Sequence, residues 1–345
     1  LQVSTLILIQ ENSSHGLTKH IYLSISYKYY NANNKLFDLS AMLIVQRYQI
    51  IKELGSGGFG ITYLAQDTKL PGQPPRVLKQ LKIPTNEPPH VQQKIKDWFE
   101  REAEKLGQLG SYDQIPNLFD YFEENQQLYL VQEYIAGNNL ETELAGRYLT
   151  EIEVVQLLQQ ILEVLNLVHQ HNIIHRDLKP ANLIRRQRDG KLVLIDFGAV
   201  KEINTILIQQ SKASSGTWAI GTPGYMPDEQ AKGHPKLSSD VYAVGMIGIQ
   251  ALTGRQPYNL QFDPNTLEVS WRNLVQVSDS LATVLETMVR VDFNKRYNSA
   301  KEALGSVKSL INPVQVVVNQ NPVQVTSNQS NLQSLFKFVP LPQKP

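Results

Sequence analysis

From Thr150 onward the chain places apolar residues with a helical period: Val154, Leu158, Ile161, Leu165 and Val168 recur at intervals of four and three. Thr150 and Glu153 have the S/T-x-x-E form of a capping box just before this run. The pattern predicts an amphipathic helix with one core face, delivering the chain to a short buried strand at Ile173-Ile174. A second helix is predicted over Val91 to Leu109. A third, opening at Ser239 and running to Leu252, is apolar nearly all round, which puts it in the middle of a folded body, and Gly254 and Pro257 stop it. Arg76 to Leu81 and Leu128 to Ile135 read as strands. Ile61, Thr62 and Tyr63, β-branched or aromatic and directly after a glycine cluster, read as one arm of a hairpin. After Leu310 the pattern is lost. Asn312-Pro313-Val314-Gln315-Val316 recurs as Asn321-Pro322-Val323-Gln324-Val325, and Asn, Gln, Pro and Ser dominate, which predicts a linker with extended character.

With 345 residues and 41% hydrophobic composition, the chain can build one two-part globular unit plus tails. A formal net charge of +1 argues against a nucleic-acid binder, which needs a basic face to neutralise phosphates. The absence of cysteine excludes disulfides and thiolate metal sites and is compatible with a reducing cytosol, so a cytoplasmic location is expected. His169, His171 and His175 stand close together, but their spacing fits no zinc pattern. Residues 1–41 match nothing that follows. Val3 to Ile9 is apolar, yet it is too short to span a bilayer and has no positive charge before it, so no membrane anchor or signal peptide is expected. Met42, which leads straight into the first strand, is expected to be the biological start.

The chemistry concentrates in His175-Arg176-Asp177-Leu178-Lys179-Pro180-Ala181-Asn182, followed by Asp196-Phe197-Gly198. A phosphoryl group in transfer spreads its charge over three oxygens, so its catalyst mainly positions the reactants and supplies cations. Asp177 would accept the proton of an incoming hydroxyl and Lys179 would lie beside the phosphate. Asn182 and Asp196 offer the hard oxygen ligands that magnesium prefers. Each residue alone is an ordinary surface group, but an eight-residue run followed by a three-residue run leaves that reading little room. Upstream, Leu54-Gly55-Ser56-Gly57-Gly58-Phe59-Gly60-Ile61-Thr62 contains G-x-G-x-x-G. That pattern also describes a dinucleotide-binding turn, but there a helix follows, whereas strand formers follow here. Glycines let the backbone approach phosphate oxygens, and Phe59 would shield the site from water.

Together these runs resemble a eukaryotic-type (Hanks-type) serine/threonine protein kinase, in a style similar to bacterial and especially cyanobacterial members, over about Tyr48 to Ile311. The resemblance implies an α+β, bilobal fold: a small antiparallel β-rich N-lobe with one main helix (48–134) and a larger, mainly α-helical C-lobe (135–311). An N-terminal extension (1–47) and an Asn/Gln/Pro-rich disordered tail (312–345) flank it. It implies ATP and magnesium, with manganese as an alternative, and protein substrates bearing Ser or Thr, the chain itself among them, with dimerisation as a further partner expectation.

Lys79 matches the lysine that holds the α- and β-phosphates, and its helical partner is expected to be Glu102, with Glu100 and Glu104 as close competitors. Gln132 would guard the back of the adenine pocket, and backbone groups near Glu133 and Ile135 would meet the adenine edge. Thr62 stands where the family usually has Val. His175 is expected to pack beneath the metal loop, with Phe197 and Gly198 in structural roles. Arg176 would receive a phosphate placed on the segment between Gly198 and Glu229, where Thr205, Ser211, Ser214, Ser215 and Thr217 are candidates. Thr222 would hydrogen-bond near Asp177 and Lys179, which points to Ser or Thr as acceptor. Asp240 would be a buried acceptor for backbone N–H groups of the catalytic loop, and Glu229 would pair with Arg296.

Two stretches depart from the family pattern. Pro227-Asp228-Glu229 replaces Ala-Pro-Glu, and Phe293 replaces the usual proline of Asp292-Phe293-Asn294-Lys295-Arg296. With Thr62, they are the support for an alternative, a pseudokinase scaffold that binds nucleotide without efficient transfer. A small-molecule phosphotransferase of related fold fits less well, since such enzymes usually lack the long activation segment and the Gly221-Thr222-Pro223-Gly224-Tyr225 stretch.

Overall fold

The computed structural model describes residues 3–6, 25–30, 36–38, 43–57, 60–83, 88–197 and 224–311. The described residues all fall in one compact unit, which ends at Ile311. Strands β1 (Val3–Leu6), β2 (Ile25–Tyr30) and β3 (Leu36–Asp38) form a small antiparallel sheet of their own.

The main sheet is built from β4 (Leu43–Ile44), β5 (Tyr48–Gly57), β6 (Gly60–Asp67), β7 (Pro75–Lys82), β8 (Leu118–Glu124) and β9 (Gln127–Glu133) in the order β4-β5-β6-β7-β9-β8, antiparallel throughout. Its register sorts side chains between two faces. Thr62, Lys79 and Leu130 lie in one cross-strand row, and Leu64, Val77 and Gln132 lie in the next row on the same face. The intervening residues Tyr63, Ala65, Leu78, Tyr129 and Val131 join Tyr48 and Ile50 in a separate buried cluster on the other face. The sheet curls around that cluster. Val45 N–H reaches Glu124 Oε1 at 3.0 Å, the Tyr48 hydroxyl reaches Asp120 at 3.2 Å, and the Tyr48 and Phe122 rings stack at 6.1 Å.

Helix α1 (Pro89–Leu109) covers the expected span, and its buried positions Val91, Ile95, Trp98, Phe99, Glu102, Ala103, Leu106 and Leu109 follow the helical period. Beyond β9 the chain crosses to β10 (Gly137–Asn139) and the short α2 (Leu140–Leu144). In α3 (Glu151–Gln170) the capping box forms: Thr150 N–H donates to Glu153 at 2.7 Å, and Glu153 N–H donates to the Thr150 hydroxyl at 3.3 Å. Strand β11 (Leu183–Arg186) pairs with β10 and with β12 (Leu192–Leu194).

The short helix α4 (Asp228–Ala231) precedes α5 (Leu237–Thr253), in which every residue from Ser238 to Thr253 is buried. Gly254, at φ 63°, ends α5 in the left-handed conformation that glycine adopts freely. A two-stranded hairpin, β13 (Gln261–Phe262) and β14 (Val269–Ser270), then leads to α6 (Asp279–Met288) and α7 (Ala300–Ile311). One β-rich body and one mainly helical body result, as the sequence predicts, and a single apolar core runs from α1 through α3 and α5 to α7.

The loop between α1 and β8 bolts the two bodies together. Gln114 Nε2 donates to Leu192 O at 2.8 Å, and Leu194 N–H donates to Gln114 O at 3.0 Å. Asp113 accepts Arg186 at 2.8 Å and Lys191 at 3.1 Å, and these cations hold its carboxyl well below the usual range.

Helix α5 approaches α6 closely at Gly245, where a Cβ would lie 2.6 Å from Val289 Cγ1 and 2.7 Å from Met288 Cβ. Gly245→Val is therefore expected to destabilise the protein by about 1–3 kcal/mol through overpacking, measured as a lower urea midpoint with an unchanged m value.

Candidate active site

The segment from Ile173 to Lys179 has no regular secondary structure, so its backbone polar groups must find partners elsewhere. They find side chains. Asp240, 1% exposed in the first turn of α5, accepts His175 N–H at 2.7 Å through Oδ2 and Arg176 N–H at 2.9 Å through Oδ1. His169 donates its Nε2–H to the same carboxylate at 3.1 Å, because its Nδ1 already accepts Ala300 N–H at 3.1 Å. Asp177 N–H reaches His175 Nδ1 at 3.3 Å, and Asn182 Nδ2 donates to Asp177 O at 2.8 Å.

Asn182 ends a one-turn 3-10 helix, Pro180–Asn182, and the strand that follows pairs Leu183 with Leu194. This pairing brings Asn182 beside Ile195, whose N–H donates to Asn182 O at 3.0 Å, and hence beside Asp196. Asp196 stands in the left-handed region at φ 60°, and its carboxylate forms an ion pair with Lys79 Nζ from β7. Partial removal from water would raise the Asp196 pKa, but the charge and hydrogen bond of Lys79 outweigh it and hold the group below the ordinary carboxylate range. Lys179 Nζ lies 3.4 Å from Asp177 Oδ2. The structure thus brings Lys79, Asp177, Lys179, Asn182 and Asp196 together by a chain of contacts where the two bodies meet.

In the same sheet as Lys79, the β5–β6 hairpin brings its two arms together at Gly57 and Gly60. Gly60 has a tertiary reason to be glycine: a Cβ there would lie 2.1 Å from Gln80 O on β7, whereas Gly55 has nothing within 4 Å. Leu54, Ser56, Ile61 and Thr62 lie on this hairpin, Gln132 and Glu133 close β9, and Ile135 follows in the crossing segment.

Glu102 faces inward from α1 at 7% exposure, while its competitors Glu100 and Glu104 are exposed. Its described ion pair is with Lys105 at 3.8 Å, and that of Lys79 is with Asp196, so the expected Lys79–Glu102 pair is not among the ion pairs of the described residues. Gly58, Phe59, Gly198, Thr205, Ser211, Ser214, Ser215, Thr217 and Thr222 lie outside the described residues.

His175 is 0% exposed and does more than pack. Its ring lies 4.8 Å from that of Phe197, its Nε2–H donates to Ile195 O at 3.0 Å, and its Nδ1 accepts from Asp177. Both roles require a neutral imidazole, and burial pushes its pKa down.

The two departures from the family pattern have local partners. Pro227 precedes α4, and its carbonyl accepts Gln230 N–H and Ala231 N–H, both at 3.1 Å. Glu229 forms a two-point pair with Arg296, at 2.6 and 3.2 Å, and accepts the Ser239 hydroxyl at 2.6 Å. Phe293 lies beneath the Lys236 ammonium at 4.6 Å, a cation–π contact that proline could not make. Two further residues support this segment: Gln230 contacts it directly through Arg176 O, and His169 acts on it through Asp240. Helical spacing puts His169 on the core face next to Val168, but no local pattern marks either residue.

The protein kinase domain family matches residues 48–307, and the chain belongs to this family. Serine/threonine-protein kinase B of Synechocystis sp. is 45% identical over 267 residues, covering 76% of this chain and 46% of that protein. Serine/threonine-protein kinase PknA of Nostoc sp. is 44% identical over 270 residues, covering 77% and 48%. The chain thus spans about half the length of these relatives. The PknI kinase domain of Mycobacterium tuberculosis has the same fold, with a TM-score of 0.58 at 22% identity over 80% of this chain and 99% of that domain.

Two measurements test the site's framework. Because the folded-state pKa of His175 lies below its ordinary value near 6.5, the unfolded chain takes the proton first, and stability is lost as pH falls below 6.5 towards the folded pKa. The slope of urea-derived stability against pH in that window is expected to flatten in His175→Asn. Glu229→Ala leaves the Arg296 guanidinium buried without its carboxylate and is expected to cost about 3–5 kcal/mol in the same unfolding assay, with partial recovery in the double variant Glu229→Ala/Arg296→Met.

Proposed function

We propose that the protein transfers the γ-phosphate of ATP to serine or threonine hydroxyls of protein substrates, its own chain included. The observation that supports this most is the convergence of two carboxylates, Asp177 and Asp196, the Asn182 amide and the two ammonium groups of Lys79 and Lys179. Asp177 has its backbone held on both sides, so its carboxylate can meet an incoming hydroxyl without reorganisation. Lys179, 3.4 Å from that carboxylate, would neutralise the phosphate that the hydroxyl attacks.

The donor set fits magnesium. Asn182 has committed its NH2 group to Asp177 O, which leaves its side-chain oxygen as a ligand, and Asp196 is held in its anionic form. When bound, the ion would neutralise charge on the nucleotide phosphates. Lys79, paired with Asp196, would meet the same phosphates from the sheet. Gln132, buried at 4% exposure on the face shared with Lys79, would close the back of the base pocket. Among the described residues no helix is long and apolar enough to cross a membrane.

The test is phosphate transfer from radiolabelled ATP to a generic Ser/Thr protein acceptor. Asp177→Asn is expected to keep its far-UV circular dichroism and lose at least about 10²-fold in turnover. Near-native turnover in that variant would remove Asp177 from the role of base. Magnesium-dependent nucleotide binding by the wild type with no transfer at all would favour the scaffold reading.

A further inference from the structure

The backbone of residues 175–177 is held by side chains, and one of these comes from α4, where the activation segment ends at Glu229. Asp240 takes His175 N–H and Arg176 N–H, His175 takes Asp177 N–H, and Asn182 holds Asp177 O. A further contact comes from Gln230 on α4, whose Nε2 donates to Arg176 O at 2.7 Å. That carbonyl belongs to the same planar peptide unit as Asp177 N–H, so Gln230 and His175 grip one peptide plane from opposite edges. The grip acts on an unfavourable conformation: Arg176 stands at φ 67°, a left-handed geometry that arginine rarely adopts.

We propose that Gln230 is a positioning residue for the base Asp177, setting the peptide plane from which that carboxylate projects. This rests on the transfer function proposed above. A carbonyl can only accept, so the Gln230 amide must present its NH2. Its place is fixed by its neighbour in sequence, Glu229, which the buried pair with Arg296 and the Ser239 hydroxyl hold in position. His234 N–H also closes back on Glu229 O at 2.9 Å. A shift of α4 would therefore withdraw the donor from Arg176 O and release the peptide plane. The helix at which the activation segment ends is thereby coupled to the base through this hydrogen bond.

Gln230→Leu and Gln230→Glu test this. In Gln230→Leu, kcat is expected to fall about tenfold, the worth of one well-placed hydrogen bond, with the KM for ATP unchanged and only a small drop in the thermal midpoint. Hydrogen exchange at the Asp177 amide, read by mass spectrometry, should be faster. Gln230→Glu supplies a signature that loss of packing does not. Its carboxylate cannot donate when ionised but can when protonated, so its kcat relative to wild type should rise as pH is lowered through the carboxylate range, while the Leu variant shows no recovery. Wild-type kcat in Gln230→Leu, or a loss of kcat matched by losses in ATP affinity and thermal midpoint, would overturn the proposal. If the wild type transfers no phosphate, the functional reading fails separately. The exchange measurement then still decides, and an unchanged Asp177 amide in Gln230→Leu would refute the clamp.

Discussion

The carboxylate of Asp240 is the fixed point around which the catalytic segment is organised. It is almost wholly removed from solvent, and a buried carboxylate without donors would be strongly unfavourable. Three donors surround it: the backbone N–H groups of His175 and Arg176, and the imidazole of His169. Hydrogen bonds to a charged acceptor are about twice as strong as neutral ones. A segment without helix or strand geometry therefore acquires a defined shape from a helix that is itself buried along its whole length. His169 extends the arrangement to α7 by accepting Ala300 N–H, so three helices share one polar junction within the apolar core.

Charge is used differently at the site. Lys79 comes from the sheet and Asp196 from the turn after β12, and their pairing crosses between the two bodies. The pair retains access to solvent, with side-chain exposures of 22% and 42%, so a phosphate or a metal ion can compete for either partner. The Glu229–Arg296 pair has exposures of 7% and 1% and satisfies its remaining donors with the carbonyls of Ser238, Arg290 and Val291. An exposed pair can be exchanged for ligand, whereas a buried and fully bonded pair holds geometry. The two substitutions that set this chain apart from the family pattern sit around the second kind. Pro227 fixes the start of α4, and Phe293 lies under Lys236, so both departures have local partners that leave the Glu229–Arg296 bond intact.

Helix α3, its capping box, α1 and α5 were legible in the sequence because each is written in local periodicity and short-range hydrogen bonding. The residues of the site were legible for another reason: Asp177, Lys179 and Asn182 fall within one six-residue stretch, so their proximity follows from covalent distance. Asp196 also follows, because a short hairpin pairing Leu183 with Leu194 must return the chain to Asn182. The partner of Lys79 was not legible. Helical register singles out Glu102 as the inward carboxylate of α1, but the distance between α1 and β7 depends on how two elements pack, and in this structure the lysine meets Asp196 instead.

The amino-acid sequence alone determined the elements, the family and the inventory of reactive groups, since these depend on residue type and short-range spacing. Only the tertiary structure decided which side chains hold the catalytic backbone. Gln230 and Arg176 are 54 positions apart, His169 and Ala300 are 131, and no local pattern links either pair. Their contacts exist because closing the apolar core leaves buried N–H and C=O groups that must be paired, and the nearest polar side chain in space, whatever its place in the chain, is the one that pairs with them.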